Sequence, residues 1–359
     1  MNMIYQLVSS FSYGDAIGND VLAIDRYLKQ KGYATQIMAL MIDDRLKAYA
    51  KYYSAEHIGM QDTVIYHKAA GDPMNRSVQE LQCTKIMLYH NITPESFFKP
   101  YDRIQAWRLQ QGRAQVQTIV PHLDYAWADS SYNLQELLDA GMDASRTAVL
   151  PIILDFEQYN QSADTGVLQR VGSHEGTKLR FTGRIAPNKC QEDIIKVFYY
   201  YKKFVDSKAQ LYLVGSYRGM EKYYAKLQGF VAELGLKDVY FTGHVSFQEL
   251  LAYYQACDVF VCMSEHEGFC VPLVECMYFN MPIVAYASSA IPETLAGSGV
   301  LLQEKDYGLF CDAIKRLQQD TAYRQDVIDG QREALNRYQP DVIAEQLYVL
   351  LDTVIQREM

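Results

Sequence analysis

The chain has 359 residues, with 34 lysines and arginines against 43 aspartates and glutamates, which gives a formal net charge of −9. A chain of this length is expected to form about two domains, each large enough to bury its own core. The 21% charged and 49% hydrophobic fractions exclude a disordered protein. The acidic balance argues against nucleic acid as the main partner, because phosphate backbones bind clustered lysine and arginine.

The cysteines and the N-terminus indicate where the protein works. The seven cysteines form no C-x-x-C pair, and most lie in apolar runs such as ACDVFVCM, which is typical of buried thiols rather than of zinc or redox sites. The segment MNMIYQLVSS lacks the basic and long apolar regions of a signal peptide. No run approaches the roughly 18 apolar residues of a membrane span. We expect a cytoplasmic protein, with contact to the inner face of the cell membrane as a further expectation.

In the first half of the chain, apolar runs alternate with segments of helical spacing. The predicted elements are a strand at 3–9, a loop at 10–20, a helix ending at Gly32, strands at 34–40, 63–67 and 84–90, a helix at about 97–118, a strand at 124–130 and a helix at 130–141. A serine cap and Gly141 delimit the last of these helices.

The second half has a regular βα rhythm. Its predicted strands are 178–183, 209–215, 238–243, 258–264 and 282–286, and a helix follows each of the first four. This pattern predicts an α/β fold with doubly wound parallel sheets. Periodicity is lost in the polar stretch 147–177, which places a boundary near Asp155. We therefore predict an N-terminal domain at 1–155, a C-terminal domain at 156–339, and a helix at 340–359 that packs back on the first domain.

Several common catalytic motifs are absent. The sequence contains no GxxxxGK[ST], no GxGxxG, no HExxH and no pair of aspartates two positions apart. The seven histidines show no metal-ligand spacing. We therefore expect a mechanism that needs neither a metal nor a cofactor.

The loop FTGRIAPNK follows the first strand of the second half. Gly183 permits a sharp turn, and Arg184 and Lys189 lie beside the start of a helix. Two cations at a helix N-terminus form an anion site that needs no metal. The alternative is a pair of solvated cations on a surface loop.

The segment MSEHEGFCVPLVECM directly follows a buried strand. Glu267 lies at a loop–helix junction, and Glu275 lies eight residues later among apolar neighbours. A carboxylate in such a run must be paired, hydrogen-bonded or functional. Gly268 permits close approach of a ligand, and the amides that follow it open a helix and can donate to oxygens. The alternative is a capping Glu267 and a salt-bridged Glu275.

Four motifs stand in register: G-R-x4-K, LVG at 213–215, FTGH at 241–244 and the E-x7-E of Glu267 and Glu275. In this order and spacing the chain resembles the retaining glycosyltransferases of family four. The resemblance implies the GT-B fold, in which two Rossmann-like doubly wound domains face each other across a cleft. It covers the second domain closely and the first loosely, through the glycine loop after the first strand and LYHNITPESFF at 88–98.

The resemblance also implies roles for single residues. Arg184 and Lys189 match the cations that hold the donor diphosphate, and Glu275 matches the residue that bonds the ribose hydroxyls. Glu267 matches the residue at the donor sugar, and His90 matches a histidine near the reacting centre. These four groups, Arg184, Lys189, Glu267 and His90, are the expected catalytic residues. The other expected donor-binding residues are Gly18, Gly183, Gly215, His244, Gly268, Phe269, Cys270 and Val271.

Some of these assignments have alternatives in the sequence itself. Either Gly14 or Gly18 could be the glycine at the diphosphate, and Asp15 could face the acceptor. His90 could instead be a core histidine that ends a strand, and His244 a surface histidine.

The activity implied is metal-independent, retaining transfer of a hexosyl unit, with mannosyl favoured, from a UDP- or GDP-sugar to a saccharide or lipid-linked saccharide in bacterial polysaccharide or lipopolysaccharide synthesis. The segment KVFYYYKKF at 196–204 could contact a membrane surface, although a helix with one buried stripe explains it as well. Two other activities remain open. One is a non-catalytic nucleotide-sugar-binding subunit of a glycosyltransferase complex. The other is a different enzyme on the same fold, such as a sugar-nucleotide epimerase or a phosphorylase.

Overall fold

The computed structural model describes residues 2–356. The chain forms two compact units. The first contains the residues up to Lys99, Arg103–Phe156 and the segment from Arg337 onward, and the second contains Pro100–Asp102 and Glu157–Asn336. The change of unit after Phe156 lies beside the point at which the sequence loses its periodicity.

The first unit is built on a seven-stranded sheet. Its strands are β1 (Met3–Phe11), β2 (Ala34–Ile42), β3 (Ala50–Tyr52), β4 (Thr63–Lys68), β5 (Thr84–Tyr89), β6 (Tyr125–Ala128) and β7 (Thr147–Val149). They pair in parallel in the order β3-β2-β1-β4-β5-β6-β7. Every residue of β4 is buried, as expected for a parallel sheet covered on both faces.

Helices cover this sheet: α1 (Ala16–Gln30), α2 (Met74–Glu80), α3 (Arg103–Ile119), α4 (Ser131–Asp139) and α13 (Pro340–Gln356). The predicted serine cap of α4 is present, since the Ser130 hydroxyl accepts from the Asn133 amide at 3.2 Å. α3 begins later than predicted, because Pro100 disfavours helical backbone at the residue before it.

The predicted loop at 10–20 is also shorter in the structure. β1 continues to Phe11, and α1 already begins at Ala16. Gly18 therefore lies in the first turn of α1, where an added Cβ would come within 2.5 Å of the Ser12 carbonyl oxygen. A glycine inside the helix is what lets the chain turn so tightly after the strand.

The C-terminal helix α13 packs within the first unit. The Tyr348 hydroxyl donates to the Tyr27 carbonyl at 2.8 Å, and the Tyr27 hydroxyl donates to Asp341 at 3.0 Å. Lys31 lies over the Tyr348 ring, 4.6 Å from its centroid. Residues 357–359 of the predicted helix lie outside the described residues. Within 2–356, no helix has both the length and the hydropathy that a membrane span requires.

The second unit is built on a six-stranded sheet. Its strands are β8 (Lys178–Thr182), β9 (Gln210–Val214), β10 (Val239–Gly243), β11 (Val259–Cys262), β12 (Ile283–Tyr286) and β13 (Val300–Leu302). They pair in parallel in the order β10-β9-β8-β11-β12-β13. The helices are α5 (Thr165–Gly172), α6 (Gln191–Phe204), α7 (Glu221–Glu233), α8 (Phe247–Ala256), α9 (Val271–Tyr278), α10 (Ile291–Leu295), α11 (Tyr307–Gln319) and α12 (Thr321–Leu335).

The strand order of this sheet switches direction between β8 and β11. Strands β9 and β10 lie on one side of β8, and β11, β12 and β13 lie on the other. Loops that leave the carboxyl ends of β8 and β11 therefore run in opposite directions and open a crevice between them, which is where ligands bind in doubly wound sheets. The two motif-bearing loops of the second half are these two loops.

Candidate active site

Three strand ends of the second unit meet at glycines. Gly215, after β9, has φ +155, and a Cβ there would lie 2.0 Å from the Gly183 carbonyl oxygen after β8. Gly215 also forms an isolated bridge with Gly243 at the end of β10. The glycine of the LVG motif is thus required by contact between backbones, whereas Gly243 of the FTG motif is favoured by its φ of +71. His244 follows directly and is exposed.

Arg184 and Lys189 both lie on the loop that leaves β8. Arg184 is exposed, and its Nη2 donates to the Arg218 carbonyl oxygen at 3.3 Å. Lys189 turns the other way and donates through Nζ to Oε2 of Glu267 in a short hydrogen bond. Glu267 is only 7% exposed. Burial alone would lower the pKa of Lys189, but the charge of Glu267 outweighs it and raises the pKa. The structure thus places two of the predicted catalytic residues in one partly buried ion pair.

The loops that carry this pair are bound to each other by main-chain contacts. The Asn188 carbonyl accepts from the Glu265 amide at 2.9 Å, and the Asn188 side-chain amide donates to the His266 carbonyl at 3.0 Å. The Glu267 amide donates to the Ser289 hydroxyl at 2.8 Å. Both ends of the ion pair are therefore held by the fold.

Two cysteines flank Glu267. Cys262 ends β11, and Cys270 is the residue before α9; their Sγ atoms and a carboxylate oxygen of Glu267 all lie within 4.8 Å of one another. The proximity of the two thiols lowers the pKa of Cys262 and, together with burial, raises the pKa of Cys270. Cys270 has φ +71 and ψ +64, a left-handed conformation that is uncommon outside glycine.

The predicted helix opening follows these residues. α9 begins at Val271, one residue after Cys270, and the Leu273 amide donates to the Cys270 carbonyl at 3.0 Å. Phe269 is buried, and its carbonyl accepts from the Thr294 hydroxyl at 2.5 Å. Gly268 lies between Phe269 and Glu267 and is half-buried. The predicted donor-binding stretch from Gly268 to Val271 thus forms a single turn beside the ion pair.

Glu275 is held by tyrosines. Its Oε1 accepts from the Tyr159 hydroxyl at 2.9 Å, and its Oε2 accepts from Tyr254 in a short hydrogen bond. Within the described chain no lysine or arginine pairs with it, so the salt bridge considered as an alternative is not formed. Burial and the Glu275 charge raise the pKa of Tyr254 well above its usual value. These hydroxyls occupy one lone pair on each oxygen, and a carboxylate can accept further donors.

A buried arginine lies beneath this tyrosine. Arg180 of β8 is fully buried, and its guanidinium carbon lies 3.3 Å from the centroid of the Tyr254 ring. Its Nε donates to the Thr182 hydroxyl at 2.7 Å, whereas neither Nη has a hydrogen-bond partner among the residues described. The cation stabilises the Tyr254–Glu275 side of the site through the ring face.

The first unit holds a separate chain of buried polar groups. His90 Nδ1 lies 3.0 Å from Asp129 Oδ2, and His90 Nε2 lies 2.9 Å from His67 Nδ1. His67 Nε2 lies 3.0 Å from Gln6 Oε1, and Gln6 Nε2 donates to the Val21 carbonyl at 3.0 Å. All four side chains belong to buried residues.

The positions of the protons in this hydrogen-bonded series follow from Gln6, which lies at its far end. Because Gln6 Nε2 donates to a carbonyl, Oε1 faces His67, and His67 must carry its proton on Nε2. Burial and the charge of His90 lower the pKa of His67 well below its usual value, so its Nδ1 is an acceptor. His90 must then donate through Nε2.

The state of His90 is set at its other nitrogen. Burial would lower the pKa of His90, but the charge of Asp129 and its hydrogen bond raise the pKa overall. The raised pKa favours an imidazolium that donates from both nitrogens, to Asp129 and to His67. Its side chain is 1% exposed. A ligand that used this ring would have to replace one of the two bonds.

The other predicted residues of the first unit lie at the start of α1. Asp15 directly precedes the helix and is exposed, and Gly18 is buried against Ser12. Asp20 is 1% exposed, accepts from the Ile153 amide at 2.8 Å, and lies within 4.8 Å of ring nitrogens of His67 and His90. Burial raises the pKa of Asp20 to about 7.

Residues 170–334 match the model of the family described as glycosyl transferases group 1. The second unit is a group 1 glycosyltransferase domain. The matched segment covers most of that unit and includes both loops with the Lys189–Glu267 pair, together with Glu275. The family resemblance carried by the four motifs is thereby confirmed.

Curated relatives match over shorter segments. The chain is 33% identical over 102 residues to the O-antigen chain mannosyltransferase RfbU of Salmonella typhimurium, which is 28% of this chain and 29% of RfbU. It is 29% identical over 133 residues to a GDP-mannose-dependent alpha-mannosyltransferase of Mycobacterium tuberculosis, which is 37% of this chain and 31% of that protein. The matches therefore span less than a third of either relative.

Solved structures match over almost the whole chain. HepE from Anabaena, solved with UDP and glucose, has a TM-score of 0.76 at 18% identity, over 98% of this chain and 100% of that one. Sucrose-phosphate synthase from Thermosynechococcus elongatus has a TM-score of 0.77 at 17% identity, over 99% and 100%. At such identities the likeness concerns the fold, and it confirms the predicted GT-B class.

Several residues beside the site in the second unit are not predicted from the sequence. Tyr159 and Tyr254, which bind Glu275, carry no motif, and Arg180 is an ordinary letter of the strand KLRFT. An arginine inside an apolar strand was the one available signal, because a buried cation requires a compensating group. In the first unit, Asp129 and His67 likewise carry no motif.

Proposed function

We propose that the protein is a metal-independent, retaining glycosyltransferase. It would transfer a hexosyl unit from a UDP- or GDP-sugar to a saccharide or lipid-linked saccharide in bacterial polysaccharide or lipopolysaccharide synthesis, in the cytoplasm and at the membrane face for a lipid-linked acceptor. The observation that carries the proposal is the partly buried Lys189–Glu267 pair on the loops after β8 and β11, within the segment that matches the group 1 glycosyltransferase family.

The choice of donor is supported by relatives. RfbU and the GDP-mannose-dependent enzyme are both mannosyltransferases by name, which favours a mannosyl donor. HepE is described in complex with UDP and glucose, which supports a uridine nucleotide as the second choice. Glu275 with its two tyrosine donors is the proposed ribose-binding group.

The ion pair suggests how the donor would bind. An arriving diphosphate offers Lys189 new acceptors, and the hydroxyls of the sugar offer Glu267 new donors. Each member of the pair can therefore exchange its partner without leaving a buried charge alone, which would be costly. Arg184 and the amides before α9 would add to the stabilisation of the leaving diphosphate. Removal of one such preorganised group typically costs about 3–4 kcal/mol of transition-state stabilisation.

The same pair bears on stereochemistry. Double displacement would need a carboxylate nucleophile beneath the sugar, and Glu267 is the nearest candidate. Its proposed role is to accept hydrogen bonds from the sugar hydroxyls, so its carboxylate is engaged when the donor is bound. We propose attack on the same face, with the leaving phosphate accepting the proton of the acceptor hydroxyl. Isolation of a covalent glycosyl–Glu267 adduct would overturn this mechanism.

In the first unit, the proposed roles rest on the family resemblance. Asp15 is the proposed acceptor contact. His90 is the proposed cation near the reacting centre, and its charge comes from the bond to Asp129.

The test is a thermal-shift screen of UDP, GDP, ADP and their sugars in the presence of EDTA. A ligand at 100 times its dissociation constant should stabilise the protein by about 2.7 kcal/mol. Arg184→Ala should abolish the shift, and Lys222→Ala, which removes an exposed lysine of the same unit, should keep it. Glu267→Ala should spare binding of the bare diphosphate.

Turnover then separates the remaining activities. Transfer of labelled sugar to a saccharide acceptor, with EDTA present, supports the proposal. Stabilisation by a nucleotide sugar without turnover on any acceptor would indicate a binding subunit, and interconversion of free nucleotide sugars would indicate an epimerase. If no UDP, GDP or ADP compound shifts the transition, the proposed function fails.

A further inference from the structure

The two thiols beside Glu267 are placed as ligands of one ion. We propose that Cys262, Cys270 and Glu267 form a site for a single thiophilic divalent cation such as Zn²⁺, and that the occupied site excludes the sugar donor. The three ligand atoms lie within 4.8 Å of one another, and all three residues are buried. Their spacing along the sequence is not that of a zinc motif. The fold brings them together because a strand end and a helix start meet at this loop.

The distances fit a small tetrahedral ion. Zinc binds thiolate sulfur at about 2.3 Å and carboxylate oxygen at about 2.0–2.2 Å, which sets neighbouring ligand atoms about 3.5–3.8 Å apart. The three atoms therefore have to approach by about one ångström or less. Two thiolates and one carboxylate make a soft ligand set that selects zinc or cadmium over magnesium or calcium. The fourth position stays open for water.

The backbone already aims both thiols at the carboxylate. Cys262 is the last residue of β11, where it pairs in register with Ala285 of β12, so its position is fixed by the sheet. Cys270 adopts the left-handed conformation with φ +71, which a residue with a Cβ holds at a cost. The thiol of Cys262 also contacts the Ser264 hydroxyl at 3.4 Å. The site is therefore preformed on two rigid elements.

The charges of the occupied site sum to zero. Two thiolates and Glu267 contribute three negative charges, and the cation together with Lys189 contributes three positive ones. Lys189 bonds Oε2 of Glu267, and the carboxylate has a second oxygen that can bind an ion. Neutrality matters here because an uncompensated charge in a buried site is strongly unfavourable.

Occupancy would disable the sugar-binding carboxylate. A Glu267 that binds a cation through one oxygen and Lys189 through the other is a weaker acceptor for sugar hydroxyls, because both positive partners draw on its negative charge. The cation would therefore inhibit transfer in competition with the nucleotide sugar. This consequence rests on the proposed function, whereas the existence of the metal site does not.

The binding test uses Cd²⁺ as a probe of the full-length protein, purified with a reductant and a chelator that are then removed. We expect an ultraviolet thiolate-to-cadmium charge-transfer band that saturates at one equivalent per chain and is displaced by Zn²⁺. Cys262→Ser and Cys270→Ser should each weaken binding at least a hundredfold, and Glu267→Gln at least tenfold. The matched control is Cys311→Ser, a buried cysteine of α11 in the same unit, which should keep the wild-type titration.

A second measurement covers variants that fail to fold. In the wild-type protein, Zn²⁺ should protect Cys262 and Cys270, and no other cysteine, from alkylation detected by peptide mass spectrometry. Cys270→Gly removes the thiol and suits the left-handed backbone, so it should fold and still lose the cadmium band. A wild-type protein without a band at one equivalent, or a band that survives in both Cys262→Ser and Cys270→Gly, overturns the site.

The inhibition test is separate. In the absence of chelator, one equivalent of Zn²⁺ should raise the dissociation constant of the nucleotide sugar at least tenfold in the wild type and leave it unchanged in Cys262→Ser. If no nucleotide binds with or without Zn²⁺, the proposed function fails while the cadmium titration still decides the metal site. Nucleotide-sugar binding that is unaffected by a saturating cation overturns the exclusion of the donor.

Discussion

His67 and His90 share a hydrogen bond of 2.9 Å between Nδ1 and Nε2, and their ring planes are only 7° apart. The nearly parallel rings place the donor N–H in the plane of the acceptor nitrogen. Because Gln6 fixes the proton of His67 on Nε2, the shared proton belongs to His90. An amide on β1 thus fixes the donor role of one nitrogen of a histidine two strands away, through one intervening ring.

Replacement of His67 should expose this dependence. In His67→Leu, the buried Nε2–H of His90 loses its acceptor, and an unsatisfied buried donor costs about 1–3 kcal/mol. We expect the urea unfolding free energy to fall by this amount. Ring ¹⁵N NMR should also report a lower pKa for His90. His57→Leu, at an exposed histidine of the same unit, should change neither quantity. An unaltered His90 titration in His67→Leu would contradict the assigned protons.

Asp20 makes the stability of the first unit depend on pH. Its folded pKa is about 7, against an ordinary 3.8, so between these values the folded state holds more protons than the unfolded state. Stability must then fall as the pH rises through this window. Asp20→Asn keeps the oxygen that accepts from Ile153 and removes the titration.

The variant should therefore match the wild type near pH 4 and exceed its unfolding free energy by up to about 4 kcal/mol at pH 8. The measurement is urea unfolding across this pH range, with nucleotide absent. Parallel curves for the two proteins would show that Asp20 ionises normally in the folded state.

The tyrosine contacts of Glu275 can be measured by a double-mutant cycle. Hydrogen bonds to charged groups contribute about 1.5–3 kcal/mol, so Tyr159→Phe should lower the unfolding free energy by about that amount. In a Glu275→Gln background the same change should cost about 1 kcal/mol or less, because the charge is gone. Strict additivity of the two changes would mean that the Tyr159 hydroxyl does not bond the carboxylate in solution.

Lys305 ties the loop that carries Glu267 to helix α6. Its Nζ bonds Asp193 and Glu265, both at 2.7 Å, and its side chain is 18% exposed. Lys305→Met should cost about 2 kcal/mol, because it leaves Asp193 with fewer partners in a partly buried place. The dissociation constants of this variant for the bare nucleotide and for the sugar donor should both rise, because the loop is loosened as a whole. Lys315→Met, at an exposed lysine of α11, is the control for both measurements.

Much of the second unit could be predicted from the sequence because the patterns that define it lie in short, continuous segments. The alternation of apolar strands with helices sets the sheet, and Gly183, Arg184, Lys189 and Glu267 stand in short motifs next to strand ends. The loops after β8 and β11 must then lie near each other, since these strands are neighbours. The pairing of Lys189 with Glu267 follows from that geometry, although no motif states it.

The partners that complete the sites are not local. Tyr159 reaches Glu275 across 116 positions, and Gln6 reaches His67 across 61. Only tertiary packing joins such residues, so neither a period nor a spacing marks them. The sequence predicts no strand in the segment 287–338, which holds α10, β13, α11 and α12, because this segment lacks the apolar runs of the central strands.

The contacts of Asn188 affect how selectively a ligand can be bound. It joins its own turn to the loop of Glu265 and His266 by one main-chain and one side-chain bond, so the two loops move as one body. The spacing of the ammonium and carboxylate groups is then set before any ligand arrives. A ligand of matching length loses little freedom in these loops on binding, whereas one that is longer or shorter must break the clamp at Asn188. Selectivity for the length of the ligand is thus a property of a residue that need not touch it.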